Sequence, residues 1–181
     1  VRLKMKSKIL LTGFMGAGKS STARVLAHET GLFAIDTDDL IESYINCSIS
    51  SLIATQGEAA FRQLEQHVAN WIEASVQHTI ISTGGGFFMV NNLLRLGLVI
   101  FLHCDFDVIH QRLLSHPAPH QQFAKRPLFQ DIDEARKRFD TRLPRYREHA
   151  HHEINTSGKK AKEVLHEIKV LAEKNGVFAS I

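Results

Sequence analysis

One glycine-rich segment, GFMGAGKS at residues 13–20, constrains this chain more than any other feature. It fits the pattern GxxxxGK[ST] at every required position. An apolar run predicted to be a strand (ILLT, 9–12) precedes it, and a helical pattern from about Lys19 to His28 follows it. In that context the glycines let backbone N–H groups point at a polyphosphate, and the helix N-terminus adds its positive dipole end. The segment predicts a phosphate-binding loop; a glycine turn that matches by chance is the weaker alternative.

Two side chains of this loop have a predicted chemical role. Lys19 supplies a positive charge for the β- and γ-phosphates of a bound nucleotide, and the Ser20 hydroxyl is placed to ligate Mg²⁺. We expect the remaining ATP-binding residues of the loop to be Gly16, Ala17, Gly18 and Ser21. The motif indicates a nucleotide, but it does not identify the group that accepts the phosphate.

The rest of the chain alternates short apolar runs with longer helical patterns. Further strands are predicted at 33–36, 79–82, 98–102 and 153–155. Apolar spacing at i, i+3 and i+4 predicts helices at about 39–45, 58–74, 105–114, 131–148 and 158–174. Near-continuous apolar strands separated by helices indicate a parallel sheet that is covered on both faces. With 181 residues, 44% of them hydrophobic, we expect one α/β domain over residues 1–181.

Composition and charge narrow the functional class. The formal net charge of +3 is a mild excess that suits a small anionic substrate and lacks the basic stripe of a nucleic-acid-binding protein. No apolar run approaches the roughly 20 residues that span a bilayer, and the N-terminal apolar stretch is too short for a signal peptide core. We therefore expect a cytoplasmic protein that binds neither nucleic acid nor membrane. Cys47 and Cys104 lie in apolar contexts and are expected to be packed, reduced thiols.

Two carboxylates follow the second predicted strand. Asp36 and Asp38 lie at the carboxyl end of a parallel strand, which is where such sheets bind ligands. One of them can hold a metal ion through water, and the other can take a proton from an attacking hydroxyl. Taken alone, the pair is equally consistent with a helix N-cap and first-turn acid, because Asp38 and Asp39 precede a helical run.

Three further motifs are candidates for contacts with the acceptor or the phosphate. Arg62 in FRQLE is a candidate carboxylate clamp, although a surface ion pair with Glu65 explains it equally simply. Three glycines at 84–86 follow the third strand and suggest close approach of a ligand, or else a flexible turn. In RLPRY, Arg142 or Arg145 can reach a substrate carboxylate, or can simply place positive charge near a helix C-terminus.

A polar stretch with two prolines precedes the motif KRPL at 125–128 and reads as a mobile loop at a functional edge. We expect residues 115–130 to form a lid whose Arg126 neutralises charge on the transferred phosphoryl group; a solvated basic loop is the alternative. The histidines at 149, 151 and 152 match no common zinc spacing, and we expect them to lie at the surface or the edge of the core.

Taken together and in order, these motifs resemble the shikimate kinase family. The order is GxxGxGKS, DTD, FRxxE, TGGG, RPL and RxPxY, and the resemblance covers the chain from about Ile9 to Tyr146. It implies a three-layer α/β/α P-loop fold with five parallel strands in the order 2-3-1-4-5, like nucleoside monophosphate kinases. It also implies transfer of the ATP γ-phosphate to the 3-hydroxyl of shikimate, a step toward chorismate and the aromatic amino acids.

The resemblance also implies roles on the acceptor side, within a substrate-binding helical region at about 37–74. Asp38 would hold the shikimate hydroxyls and is the candidate base, and Asp36 would lie near Mg²⁺ through water. Arg62 and Arg142 would clamp the shikimate carboxylate. The three glycines, Gly84, Gly85 and Gly86, would pack against the substrate, and Gly85 would donate a backbone N–H.

On the nucleotide side the resemblance implies that Arg126 contacts the phosphates from the lid and that Arg112 lies near the adenine. The partners would be ATP with Mg²⁺ and shikimate, and we expect a monomer. One region departs from the family pattern: INTSGK at 154–159 has neither the aspartate nor the downstream proline that many members carry in the adenine-side loop.

Two rival interpretations remain at this level. The first is another P-loop metabolite kinase, such as a gluconate or nucleotide kinase; a nucleotide kinase would have contacts to an acceptor base in place of the arginine clamp. The second is a regulatory domain that kept the fold and lost the chemistry. Such descendants usually lose the lysine, the acid or the lid arginine, whereas Lys19, Asp38 and Arg126 are all present.

Overall fold

Five parallel strands form the centre of the molecule. The structure, a computed structural model, describes residues 7–118, 120 and 127–177. The strands are β1 (Lys8–Thr12), β2 (Phe33–Asp36), β3 (Thr79–Ser82), β4 (Leu98–His103) and β5 (His152–Asn155). Their order across the sheet is β2-β3-β1-β4-β5, and every neighbouring pair is parallel. The predicted fold class and strand order are therefore confirmed.

Helices connect successive strands and cover both faces of the sheet. They are α1 (Lys19–Thr30), α2 (Thr37–Ile45), α3 (Ile49–Ser75), α4 (Leu93–Leu96), α5 (Phe106–Leu114), α6 (Ile132–Glu148) and α7 (Ala161–Lys174). Short 3-10 turns lie at Phe87–Met89 and Pro127–Gln130. Among the described residues, no helix combines the length and the apolar character needed to cross a bilayer.

The central strands β1 and β4 are apolar over most of their length because their side chains alternate between two separate cores. In β1, Leu10 packs with the helices of one face, whereas Ile9 and Leu11 pack with α1 and α7 on the other. β4 repeats the pattern, with Val99 on the first side and Ile100 on the second. Since side chains alternate along a strand, a sheet buried on both faces needs this continuous apolar run.

Three boundaries differ from the sequence-based expectation. α2 begins at Thr37 rather than near Asp39, because the Asp36 side chain caps it by accepting a hydrogen bond from the Asp38 N–H (3.0 Å). α3 extends back to Ile49, but Gly57 interrupts it with a φ of 84° and a ψ of 165°, a conformation open essentially to glycine alone. α7 begins at Ala161, three residues later than expected, because the side chain of Glu163 accepts from the Lys160 N–H and fixes the start of the helix.

The expectation that both cysteines are packed is wrong for one of them. Cys104 is buried, with 2% of its surface exposed, but Cys47 is exposed. Cys47 lies just beyond Asn46, whose left-handed backbone (φ 52°) ends α2 and turns the chain outward. Both thiols are free.

The core packing of β1 generates a stability prediction. Leu10 is fully buried in the central strand, so Leu10→Ala should lower the free energy of unfolding by about 3 kcal/mol, from lost transfer energy and the cavity left behind. The matched control is Leu94→Ala, whose leucine is 42% exposed and should change stability by less than about 1 kcal/mol. Urea denaturation followed by circular dichroism measures both, and equal losses would contradict the assigned core.

Candidate active site

The carboxyl ends of the strands meet at one edge of the sheet, and the predicted site residues lie along it. The loop after β1 wraps with positive φ at Gly13, Gly16 and Gly18. Lys19 begins α1 and is only 7% exposed; its ammonium donates to the carbonyl oxygens of Gly13 (2.8 Å) and Phe14 (3.0 Å). The lysine is thus folded over the loop, and the strand–loop–helix context predicted for it is confirmed.

Further ATP-binding candidates lie in this loop and at the start of the helix that follows it. Ala17 is buried and its N–H donates to the Phe14 carbonyl (3.1 Å), which closes the loop on itself. The Gly18 carbonyl accepts from the Thr22 N–H (2.9 Å), the first bond of the following helix. Ser21 is exposed on that helix.

A small group of oxygen atoms lies beside the loop. The Ser20 hydroxyl donates to Asp36 Oδ2 (2.9 Å) and lies 3.1 Å from the hydroxyl oxygen of Ser82. Ser20 comes from the start of α1, Asp36 from the end of β2 and Ser82 from the end of β3, so pairing of the strands brings them together. Hydroxyl and carboxylate oxygens are ligands that Mg²⁺ accepts.

Asp38 is the second residue of α2 and faces the glycine segment. The N–H of Gly84 donates to the hydroxyl of Thr37 (2.9 Å), which holds the two segments together. A side chain at Gly84 would overlap Asp38 Oδ1, so glycine is required there for the carboxylate to approach. Asp36 therefore caps the helix and Asp38 lies in its first turn, as the structural alternative expected, and the metal and base roles of the two carboxylates stay predictions.

The environment of Asp38 favours its neutral form. Burial, followed by the neighbouring charge of Asp36, raises the pKa of Asp38 to about 7, although Lys19 opposes the shift. Its Oδ1 atom is inaccessible to solvent and has no hydrogen-bond partner within the described structure. A buried acceptor left without a donor is a place where a ligand hydroxyl would be stabilising.

Arg62 approaches the same glycines from α3. Its guanidinium pairs with the buried carboxylate of Glu65 (2.5 Å) and with the exposed carboxylate of Glu58. Burial lowers the pKa of Arg62, but its bonds to the two glutamates more than compensate and the net direction is upward. A side chain at Gly86 would overlap this guanidinium. The i, i+3 pair with Glu65 is present as the alternative expected, but it is not an exposed pair, because Glu65 is buried and the arginine borders the glycine segment.

Arg142 reaches the glycine segment from α6. Its Nη1 donates to the Gly85 carbonyl oxygen (3.1 Å), and the buried hydroxyl of Tyr146 donates to the same oxygen (2.5 Å). Burial lowers the pKa of Arg142, and the positive charges of Arg138 and Arg62 act in the same direction. Of the two candidate arginines of this motif, Arg142 is the one beside the glycines; the Arg145 guanidinium lies 5.4 Å from the centre of the Phe88 ring.

The nucleotide-side candidates are described in part. Arg112 of α5 donates from Nη2 to the carbonyl of Thr156 (3.2 Å), in the loop after β5 that departs from the family pattern. Arg126 and Lys125 lie outside the described residues, as do residues 119 and 121–124 of the expected lid; 115–118 form a turn and bends, and Pro127–Gln130 form a 3-10 turn.

The histidines near the end of α6 point in different directions. His151 Nδ1 accepts from the N–H of Val99 (3.0 Å), His149 Nδ1 lies 2.9 Å from the Arg145 carbonyl, and His152 contacts Asn175. Within the described part of the chain, no group of three or more histidine, cysteine, aspartate or glutamate residues could hold a metal ion.

Three residues at this edge were not predicted as part of the site. Ser82 ends β3 with no motif to mark it; only its position at a strand terminus was a signal. Tyr146 ends the RLPRY motif, which predicted no role for it. Its hydrogen bond joins it to Gly85, a residue far away in the sequence, and no local pattern predicts such a bond. Glu58 could have been found, since it precedes Arg62 by four residues on one helix.

Comparison with known proteins places this site in a family. A family model described as Shikimate kinase matches residues 15–172. A Shikimate kinase of Bacillus cereus (strain G9842) is 37% identical over 175 residues, covering 91% of this chain and 97% of that protein. One of Helicobacter hepaticus is 37% identical over 147 residues, covering 81% and 85%. The solved structure of shikimate kinase from Acinetobacter baumannii in complex with shikimate gives a TM-score of 0.81 at 30% identity, covering 95% and 96%.

A glycine-rich GxxxxGKS loop on a 2-3-1-4-5 parallel sheet, with Asp38, Arg62 and Arg142 converging on the glycines at 84–86, is typical of a P-loop kinase. Within that class, the chain belongs to the shikimate kinase family. It is an ATP-dependent kinase, an ATP:shikimate 3-phosphotransferase of aromatic amino acid biosynthesis, and the resemblance drawn from its motifs is confirmed.

The raised pKa of Asp38 generates a prediction about stability and pH. The folded protein keeps a proton that the unfolded chain loses above about pH 4, so this contribution to stability is complete at low pH and is lost as pH rises through about 7. The Asp38→Asn variant has no carboxyl at this position, so it does not lose this stability as pH rises. Without ligand or metal, the variant should therefore be more stable than wild type by about 2 kcal/mol at pH 8, and the difference should shrink toward pH 5.

Thermal and urea unfolding at pH 5, 6, 7 and 8 measure this difference. Asp140→Asn, at an exposed position of α6, is the control and should show no such trend. A stability difference between Asp38→Asn and wild type that stays constant across this pH range would contradict the buried, protonated carboxyl.

Proposed function

We propose that the chain transfers the γ-phosphoryl group of Mg-ATP to the 3-hydroxyl of a shikimate molecule held between Asp38, Arg62, Arg142 and the glycines at 84–86. The observation that carries this proposal is the convergence of these groups on one glycine segment: side chains at Gly84 and Gly86 would overlap Asp38 and Arg62, and Arg142 bonds to Gly85. Lys19 lies on the other side of Asp38, close enough for its charge to affect the pKa of that carboxyl.

The charges of the pocket complement those of shikimate. The acceptor carries one carboxylate and a ring of hydroxyls, and the pocket offers two guanidinium forks and one carboxylate. The buried carboxylate of Glu65 lies 2.5 Å from Nη1 of Arg62, and this ion pair fixes one side of the guanidinium before the substrate binds. The hydrogen bond and charge of Arg62, with smaller contributions from Arg138 and Arg142, lower the pKa of Glu58, so an anionic group is stabilised beside Arg62.

Asp38 is suited to bind and deprotonate the attacking hydroxyl. Its Oδ1 has no partner among the described residues and can accept a hydrogen bond from the substrate O–H. A pKa near 7 places the carboxyl close to the operating pH, where a general base is most effective. Since phosphoryl transfer has a loose transition state, positioning of the hydroxyl contributes more than full proton removal.

The oxygen group at Ser20 and Asp36 fits Mg²⁺. Mg²⁺ is usually held by one or two protein oxygens together with substrate phosphates and water, and a site with three acidic or histidine ligands is not required. We assign Ser20 as the direct ligand and Asp36 as a ligand through water. When held by Ser20 and, through water, by Asp36, Mg²⁺ would supply positive charge that offsets the negative charge developing on the phosphates.

The lid and the adenine contacts complete the proposal. Arg126, on a lid at about 115–130, would neutralise charge on the transferred group, and closure would exclude water as a competing acceptor. The loop residues from Gly16 to Ser21 would bind the phosphates through their N–H groups. Arg112, tied to the carbonyl of Thr156, would border the adenine beside the atypical loop after β5.

We further propose that the chain acts as a monomeric, cytoplasmic enzyme, within one kinase domain over residues 1–181 and with the acceptor bound against the helical region at about 37–74. The described acceptor and phosphate groups come from β1, α1, α2, α3, β3 and α6 of a single chain, so a second copy is not needed to assemble them. The mild net charge of +3 favours small anionic partners over nucleic acid or membrane.

The proposal predicts which acceptor supports turnover. In a coupled assay of ADP release with Mg-ATP, shikimate should give activity at least about a hundredfold above gluconate, AMP or no acceptor, because only shikimate matches the clamp and the carboxylate. Lys19→Ala prepared in parallel should be inactive and controls for contaminating kinases.

Each other outcome would have a defined meaning. Release of ADP with gluconate or AMP in place of shikimate would retain the kinase and reject the arginine clamp. A folded protein that binds ATP and turns over none of the acceptors would indicate the regulatory interpretation.

The clamp itself predicts a separation of substrate and nucleotide effects. Arg62→Lys keeps the charge beside buried Glu65 but loses the planar fork, so the KM for shikimate should rise at least about tenfold while the KM for ATP changes less than about twofold. Lysine is preferred to alanine here because removing the charge would leave Glu65 buried and unpaired, which is strongly destabilising.

The matched control is Arg95→Lys, an exposed arginine paired with Glu73 away from the glycine segment, and steady-state kinetics should show no change for it. Equal increases in both KM values for Arg62→Lys would contradict a role specific to the acceptor.

A further inference from the structure

Tyr146 is a deeply buried side chain with a polar tip beside the glycine segment. It lies on α6 and exposes only 2% of its surface. Its ring stacks on Phe101 of β4 (centroids 5.1 Å apart, planes at 15°) and meets Phe88 edge-on (4.8 Å, 71°). With the ring fixed on two sides, the direction of its hydroxyl is fixed as well.

That hydroxyl points at the glycine segment and shares its acceptor with a proposed substrate-binding arginine. Tyr146 donates to the Gly85 carbonyl oxygen at 2.5 Å, and Arg142 Nη1 donates to the same oxygen at 3.1 Å. The two residues are four apart on one helix, so they lie on the same face and approach Gly85 side by side. A carbonyl oxygen has two lone pairs and can accept both bonds.

We propose that Tyr146 is a positioning residue for acceptor binding: it keeps the Gly85 carbonyl paired, so that Arg142 is free to turn its guanidinium to the carboxylate of the substrate. This inference rests on the proposed function, because it takes Arg142 as part of the clamp. Without the tyrosine hydroxyl, Arg142 would be the remaining described donor to that oxygen. When the acceptor bound, Arg142 would then either leave the buried Gly85 carbonyl unpaired or stay on that carbonyl and not contact the substrate.

The alternative is that Tyr146 serves only as core. Its ring contacts with Phe101 and Phe88 belong to the packing of α6 on β4, and phenylalanine would preserve all of them. The hydroxyl can therefore be removed without disturbing the ring. Under the packing alternative, Tyr146→Phe changes stability slightly and leaves substrate affinity as it was.

Tyr146→Phe separates the two possibilities in the full-length enzyme. We expect the KM for shikimate to rise about tenfold, the free energy of one buried carbonyl losing a partner. The KM for ATP should stay within about twofold of wild type, and kcat should fall by less than about threefold. The matched control is Tyr44→Phe, at the other tyrosine of the chain, which is 71% exposed and stacks on His67; it should change none of the three.

A double-mutant cycle tests the route through Arg142. In the background of Arg142→Lys, the added effect of Tyr146→Phe on the KM for shikimate should drop to less than about twofold. This variant lacks the guanidinium of Arg142, which the tyrosine hydroxyl is proposed to free from the Gly85 carbonyl. An unchanged KM for shikimate in Tyr146→Phe, equal increases in both KM values, or fully additive effects in the cycle would overturn the proposal. Wild-type enzyme without shikimate-dependent ADP release would instead overturn the proposed function on which it rests.

Discussion

The parallel pairing of β1 between β3 and β4 is the constraint on which the site depends. Because β1 and β3 run side by side with Leu11 opposite Ser82, the phosphate-binding loop and the glycine segment leave the sheet at the same level. The Thr83 N–H and hydroxyl both donate to the Leu11 carbonyl (3.2 and 3.0 Å), which fixes the two exits against each other. A slip of one residue would separate the phosphate donor from its acceptor and turn the buried side chains to the wrong face.

The second organising feature is a set of charges that is balanced before any ligand binds. Arg62 is held by one buried and one exposed glutamate, Asp38 is pushed toward its neutral form by burial, and Arg142 is satisfied by a backbone carbonyl. Buried charges need partners of this kind to be tolerated. Each of these charged groups is therefore stabilised by the protein itself, and under the proposed function the same groups would face an anion that carries hydroxyls.

Local patterns were sufficient to predict most of the fold and the position of several candidate residues. The loop at 13–20 and the apolar strands are local signals, and a parallel sheet then places Asp36 and Asp38 at its carboxyl edge. What could not be predicted depends on contacts between distant segments: the proximity of Ser82 to Ser20, the bond from Tyr146 to Gly85, and the raised pKa of Asp38. Each arises from tertiary packing, which periodicity does not encode.

The folded-back position of Lys19 has a consequence for how nucleotide is taken up. The Lys19 ammonium donates to two carbonyl oxygens of its own loop. Under the role proposed for Lys19, arrival of a polyphosphate would exchange these acceptors for phosphate oxygens, and the cost of releasing the carbonyls would offset part of the attraction. Such an exchange would moderate the affinity for nucleotide, which suits an enzyme that must release ADP in every cycle.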